Sequence, residues 1–217
     1  IINTTITSVG SHMFEAPVLA KRQFFEEHPE AAGRINITVL DSGTYTAGYG
    51  YPIVEASKMV KNGASADEIV AYLDDFYATV EIVFASYSLE YAKRSGRIPV
   101  AAAFIGDVLG LRPIISIIDG VTKVVEKVRG DKNVVTHILD YAYTRAADKK
   151  SPPVVICGSV GQYGDDLHKA VSKKFGHAPR ARYQAGASIA INSGPKVVAM
   201  LVRGEKRINT RAREQDF

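Results

Sequence analysis

The sequence has a single cysteine, no tryptophan and no apolar run of membrane-spanning length. Cys157 therefore has no partner within the chain for a disulfide, and a cytoplasmic, reducing setting is the expectation. Without a run of about 20 apolar residues no transmembrane helix is expected. No charged-then-apolar leader ahead of a small-residue cleavage site marks a signal peptide. The missing tryptophan excludes nothing.

The familiar signatures of catalysis are also absent. The five histidines (His12, His28, His137, His168, His177) stand in unrelated contexts, with neither HExxH nor paired ligand spacing, so no metal site is expected. There is no Walker A loop, and "GYGYP" lacks the third glycine of a dinucleotide fingerprint. Cys157 ends the apolar run "VVIC" and reads as a buried, inert thiol. Asp165 and Asp166 open a helix, where the macrodipole accounts for them. A hydrolase built on Ser8 or Ser11 lacks a histidine–acid pair. No catalytic residue and no cofactor is expected.

What remains is an ordinary globular composition. The chain has 217 residues, 46% hydrophobic and 23% charged, enough for one large or two modest domains. The net charge of +4 is modest. Basic residues thicken in "RGEKRINTRAREQDF", where acids also occur, so this end reads as a solvated tail rather than a nucleic-acid arm.

The order of elements narrows the fold. "IINTTI" and "INITVL" read as strands, with a helix through Phe14, Val18, Lys21 and Phe25 between them, ended by His28-Pro29. That βαβ unit predicts parallel strands. A second helix is predicted over "YPIVEASKMVKNG". "SADE" is a capping box, Ser65 with Glu68, opening a third helix faced by Ile69, Leu73, Phe76 and Val80. The pattern changes to strand at "VEIVFASYS", which places a domain boundary near residue 80. Beyond it, strands flank Asp119-Gly120 as a hairpin, followed by helix, strand and helix. "YQAGASIAINSG" and "KVVAMLVRG" are predicted as a last strand pair. The fold class is α/β in two domains. Residues 1–79 form an N-terminal parallel-sheet α/β domain, and 80–217 a C-terminal α+β domain with a mixed sheet.

Two loops invite a ligand. "TITSVGSH" leaves a strand with Thr7, Ser8 and Ser11, and "VLDSGTYTAGYG" leaves the next with Asp41 and Ser42. Loops at the carboxyl ends of parallel strands share one sheet edge, where hydroxyls and free N–H groups suit an anion. Ser11 alternatively caps the following helix, and Asp41 alternatively folds its own turn.

Taken together, "TITSVGSHMFEA", "VLDSGTYTAGYG", "EYAKRSGRIPVAAAFIGDVLGLRPIISIIDG", "EKVRGDK" and "INSGPK" resemble, in order and spacing, the DegV family of fatty-acid-binding proteins. The resemblance runs from the first residue to about Arg203. It implies a long-chain fatty acid bound between two domains, the carboxyl group on Thr7, Ser8, Ser11 and Asn192, and the acyl chain along Ala102, Phe104, Ile105, Val108, Leu109 and Ile115. Arg97 and Arg129 match arginines that would face a fatty-acid kinase. The protein would then be a carrier subunit, making acyl phosphate available for phospholipid synthesis, with transient membrane-surface contact and no nucleic acid. Family chains begin earlier, with an Asp-Ser strand and a Thr-Ser-x-Pro-Ser loop, so the N-terminal domain is expected to be truncated. Asn192 stands where the family has His, and Lys196 where it has Gly. The competing reading is a basic partner- or nucleic-acid-binding module using Arg203, Lys206, Arg207, Arg211 and Arg213.

Overall fold

The β-branched run that opens the chain forms β1 (Ile2–Thr5), and Thr38–Asp41 forms β2. The two strands pair in parallel, with Ile2 opposite Thr38 and Thr5 opposite Asp41, as the strand–helix–strand order requires. The computed structural model describes residues 1–98, 110–208 and 210–216. They divide into two compact units, one of Ile1–Ala78, Asp119–Val121 and Lys206–Phe217, the other of Thr79–Ile118 and Thr122–Glu205.

In the first unit, α1 (Glu15–Glu27) supplies the crossover. It begins after Phe14, which makes no side-chain cap, so Ser11 lies outside the helix and does not cap it. Phe14 and Val18 pack with Val39 of β2 in a small apolar cluster that Ala212 joins. His28 and Pro29 end the helix as expected, since proline has no N–H to continue the ladder. Helix α2 (Ala47–Lys61) starts one turn before its expected position and contains Pro52. Helix α3 (Ala66–Thr79) opens on the capping box: the Ser65 N–H donates to Glu68 Oε2 at 2.8 Å, and the Glu68 N–H to Ser65 Oγ at 3.3 Å. Ile69, Leu73 and Phe76 are buried, while Val80 already belongs to the next strand.

The C-terminal segment corrects the expectation of a solvated tail. Lys206 Nζ pairs with Asp75 at 2.9 Å, Arg207 Nε with Asp119 at 2.9 Å, and Arg211 Nη2 with Asp74 at 3.0 Å. The acids of α3 and of the Asp119 turn neutralise these cations within the first unit. The Arg211 side chain is only 8% exposed and lies over the Tyr77 ring.

The second unit is built on β3 (Val80–Ser86), β4 (Leu111–Ile118), β5 (Val121–Arg129), β6 (Val154–Cys157), β7 (Ala181–Gln184) and β8 (Val197–Arg203), in the order β5-β4-β3-β8-β6-β7. β3 runs antiparallel to β4 and β8, and β6 antiparallel to β8 but parallel to β7, so the sheet is mixed. Helices α4 (Leu89–Ser95), α5 (Val134–Arg145) and α6 (Gly161–Phe175) intervene. Asp119 and Gly120 both adopt positive φ (52° and 75°), the pair of left-handed residues that the Asp-Gly turn signals.

The expected terminal strand pair is a correction. Residues Ala187–Ser193 form a short helix, α7, and β7 joins β6 rather than β8. The small residues of "AGASIA" fit either state, and Gly186 starts the helix where a strand was expected to continue.

Strand alternation gives this sheet two apolar faces. Val83, Ala85, Ile114, Val155, Val198 and Met200 pack with Ile138 of α5 and Leu167 of α6 in one core. Ile82, Phe84, Ile115, Ile117, Ala199 and Leu201 point to the other face and are also buried. At the far end, Glu81 is 2% exposed and receives a bidentate guanidinium from Arg145.

Candidate functional site

The register that sets Thr5 opposite Asp41 brings the loops after β1 and β2 to one edge. They are tied by the Thr7 N–H, which donates to the Thr44 carbonyl at 3.0 Å. Asp41, 3% exposed, is the centre of the arrangement. Its Oδ1 accepts the Ser8 N–H at 3.2 Å and the Gly43 N–H at 2.9 Å. Its Oδ2 accepts the Ser8 hydroxyl at 2.6 Å and the Ala212 N–H at 3.1 Å. Four donors occupy both oxygens, so Asp41 organises the loops and holds no vacant lone pair in line for proton transfer.

The three expected hydroxyls differ in what they have left to give. Ser8 directs its proton to Asp41 and presents only lone pairs elsewhere. Thr7 is fully buried, and its Oγ1 accepts the Val9 N–H at 3.3 Å. The backbone of Gly120 lies against it: a Cβ there would sit 2.2 Å from Thr7 Oγ1, so only glycine fits. Ser11 is half-buried and accepts the Met13 N–H at 3.3 Å, and among the described residues its own proton meets no acceptor. Gly10, between them, faces the Tyr45 ring so closely that a Cβ would overlap the phenol oxygen at 2.0 Å. The Tyr45 hydroxyl in turn donates to the Gly120 carbonyl at 3.4 Å.

Two further hydroxyls belong to this loop pair and carry no sequence signal. Thr44 is 2% exposed, and among the described residues neither its Oγ1 nor that of Thr46 has a hydrogen-bond partner. Thr46 also holds φ 54° and ψ −132°, a backbone region that a β-branched residue enters only under strain. Tyr77 is buried, its hydroxyl 3.5 Å from Thr4 Oγ1 and from the Tyr49 carbonyl, and burial pushes its phenol well above the ordinary range.

The other expected residues lie in the second unit. Ile115 is on the sheet face opposite α5 and α6, 1% exposed. Ala102, Phe104, Ile105, Val108 and Leu109 lie outside the described residues. Asn192 is half-buried near the end of α7, its Nδ2 donating to the Ser188 carbonyl of the same helix at 2.7 Å. Arg97 and Arg129 are exposed. Cys157 is buried beneath Gly164 of α6, where a Cβ would come within 2.6 Å of the cysteine Cβ. Tyr87 stacks on Tyr163 at 4.0 Å, and desolvation pushes its phenol up to about 12. Among the described residues no group of three His, Cys, Asp or Glu could hold a metal, and no helix is long and apolar enough to cross a membrane.

Against known proteins, a solved structure of a stearic acid-binding protein from Eubacterium ventriosum matches with a TM-score of 0.80 at 26% identity, over 93% of this chain and 70% of that one. A Streptococcus pneumoniae structure, the fatty acid kinase B3 protein loaded with linoleic acid, shares the fold at a TM-score of 0.80 and 18% identity, over 94% and 72%. A DegV domain-containing protein of Clostridium acetobutylicum is 30% identical over 207 residues, 94% of this chain and 70% of the relative. One from Caldanaerobacter subterraneus is 28% identical over 196 residues, 90% and 67%. The model of the DegV family, described as uncharacterised proteins, matches residues 1–205. With ordered loops, a small parallel sheet, a larger mixed sheet and a family match of this extent, the chain belongs to the DegV family.

Proposed function

We propose that this protein binds one long-chain fatty acid and presents its carboxylate to a fatty-acid kinase, acting as carrier and not as catalyst. Ser11 carries the reading. It is a hydroxyl at the carboxyl edge of parallel strands, with one lone pair fixed by the Met13 N–H and, among the described residues, no acceptor for its proton. Thr7 is the second donor, and Ser8, turned toward Asp41, sets the loop that presents them. Asn192 and the acyl-chain residues Ile115, Ala102, Phe104, Ile105, Val108 and Leu109 complete the proposal, with domains over residues 1–79 and 80–217 except that Lys206–Phe217 folds with the first. The stearic acid-binding relative supports the ligand class. The kinase step is supported by Arg97 and Arg129, whose exposed guanidinium groups suit bidentate contact with carboxylate or phosphate oxygens.

Protein expressed in bacteria and purified without detergent should release one fatty acid per chain on denaturation, read by mass spectrometry. Repeatedly empty protein would sink the proposal. Ser11→Ala should weaken retention by about 10- to 100-fold, the range for one hydrogen bond to a charged group. The nucleic-acid alternative is weakened, because Lys206, Arg207 and Arg211 are paired with acids of their own unit.

A further inference from the structure

The family match ends at residue 205, and the segment that follows folds with the first unit, on the loops just described. Two of its contacts bracket Asp41. The Ala212 N–H donates to Asp41 Oδ2, the same oxygen that takes the Ser8 hydroxyl. Two residues back along β2, the Val39 N–H donates to Glu214 Oε1 at 2.5 Å. Thr38 N–H points to β1, bonding the Ile1 carbonyl at 2.9 Å. Successive amides of a strand alternate, so Val39 N–H lies on the edge of β2 away from β1. Glu214 closes that edge with its carboxylate, which Lys21 also holds. Between these contacts the Arg211 stem covers Gly43, where a Cβ would come within 2.8 Å of its Cγ, and its Nη1 reaches the Asp41 carbonyl at 3.4 Å.

We infer that the segment Arg211–Glu214 is a positioning element for acid recognition, acting through Asp41 on the loop of Ser8 and Ser11. The mechanism is rotational. Asp41 Oδ1 is fixed by two amides of the loops themselves, but Oδ2 has one donor from a side-chain hydroxyl and one from the C-terminal segment. The Ala212 amide sets the plane of the carboxylate, which sets the direction of the Ser8 proton and hence the course of the loop up to Ser11. Glu214 holds the strand that carries Asp41. The inference deepens the proposed function and rests on the reading of this loop as the carboxylate site.

The test measures affinity for palmitic acid and for 1-hexadecanol in the 217-residue chain and in two variants. Ala212→Pro removes the amide proton and also fixes φ at 212 and restricts Arg211, and Glu214→Ala removes the edge contact, with Glu214→Gln restoring an acceptor for Val39. The native protein should prefer the acid by about tenfold or more. Each of the two variants should lower that preference by about tenfold while leaving alcohol affinity near its native value, and Glu214→Gln should recover it. A purely structural role would weaken both ligands together, and that result overturns the inference. Undiminished acid preference in both variants overturns it equally. A native protein that binds both ligands alike, or neither, overturns the carboxylate reading and the inference with it. Should Ala212→Pro lose its folded circular dichroism spectrum, Glu214→Ala and its Gln rescue decide the matter.

Discussion

Ser8 Oγ donates to Asp41 Oδ2 across 2.6 Å, while the Ser8 amide donates to the other oxygen of the same carboxylate. One acidic side chain therefore fixes both the backbone and the hydroxyl of a residue 33 positions away in sequence. Asp41→Asn places an amide NH₂ where donors already point, whichever way the group is flipped. The expected cost is about 2–3 kcal/mol, the scale of a buried donor left facing a donor. Urea denaturation followed by circular dichroism checks it, and a loss below about 0.5 kcal/mol contradicts the role of Asp41 as organiser.

Thr46 offers a test with the opposite sign. Its φ of 54° with ψ −132° is a region that glycine enters freely. Thr46→Gly relieves strain of about 1–3 kcal/mol and loses about 0.5–1 kcal/mol to glycine's larger unfolded-state entropy. A net gain of about 1 kcal/mol is expected by denaturant titration. If fatty-acid retention falls in the same variant, the strain serves to hold the Thr46 hydroxyl at the site. A destabilised Thr46→Gly would show that this hydroxyl supplies stability after all.

Much of this was legible in the chain. The βαβ start, the capping box at Ser65 and Glu68 and the Asp-Gly turn each rest on local rules, and each is found. The loop of Thr7, Ser8 and Ser11 was readable from its place after a strand. That Ser8 is turned toward Asp41, and that Ser11 keeps its proton, depends on distances no spacing encodes. Thr44 and Thr46 were missed because a threonine in a loop carries no pattern of its own. The C-terminal segment was misread for a related reason. Local composition makes "KRINTRAREQDF" look solvated, whereas its partners Asp41, Asp74, Asp75 and Asp119 come from distant sequence.

The capping box fixes a pH dependence. The Ser65 amide and hydroxyl lower the Glu68 pKa, the amide contributing more. A carboxyl group whose folded pKa is depressed stabilises the native state above its unfolded value, and that stabilisation is lost as pH falls through the folded pKa. Glu68 should therefore titrate below an ordinary glutamate in a carbon-detected NMR series. Ser65→Ala should bring it only part of the way back, because the backbone N–H remains. A wild-type Glu68 at the ordinary glutamate value would contradict the box.

Glu81 and Arg145 test how the second unit closes. Glu81 is 2% exposed, and Arg145 reaches it with Nε at 2.8 Å and Nη2 at 2.5 Å, the arginine side chain remaining 43% exposed. Gly204 lies so near that a Cβ would stand 2.6 Å from Glu81 Oε1, so a side chain there would displace the carboxylate. Arg145→Met removes both guanidinium bonds and leaves the charge in place. About 2–4 kcal/mol should be lost, somewhat less than for a fully buried pair because the arginine is partly solvated. Replacing both residues, Glu81→Leu with Arg145→Met, removes the stranded charge and should cost less than Arg145→Met alone. Chemical denaturation of the two variants decides it. A double variant less stable than the single one would mean that an unpaired Glu81 carboxylate is not the costly element at this sheet end.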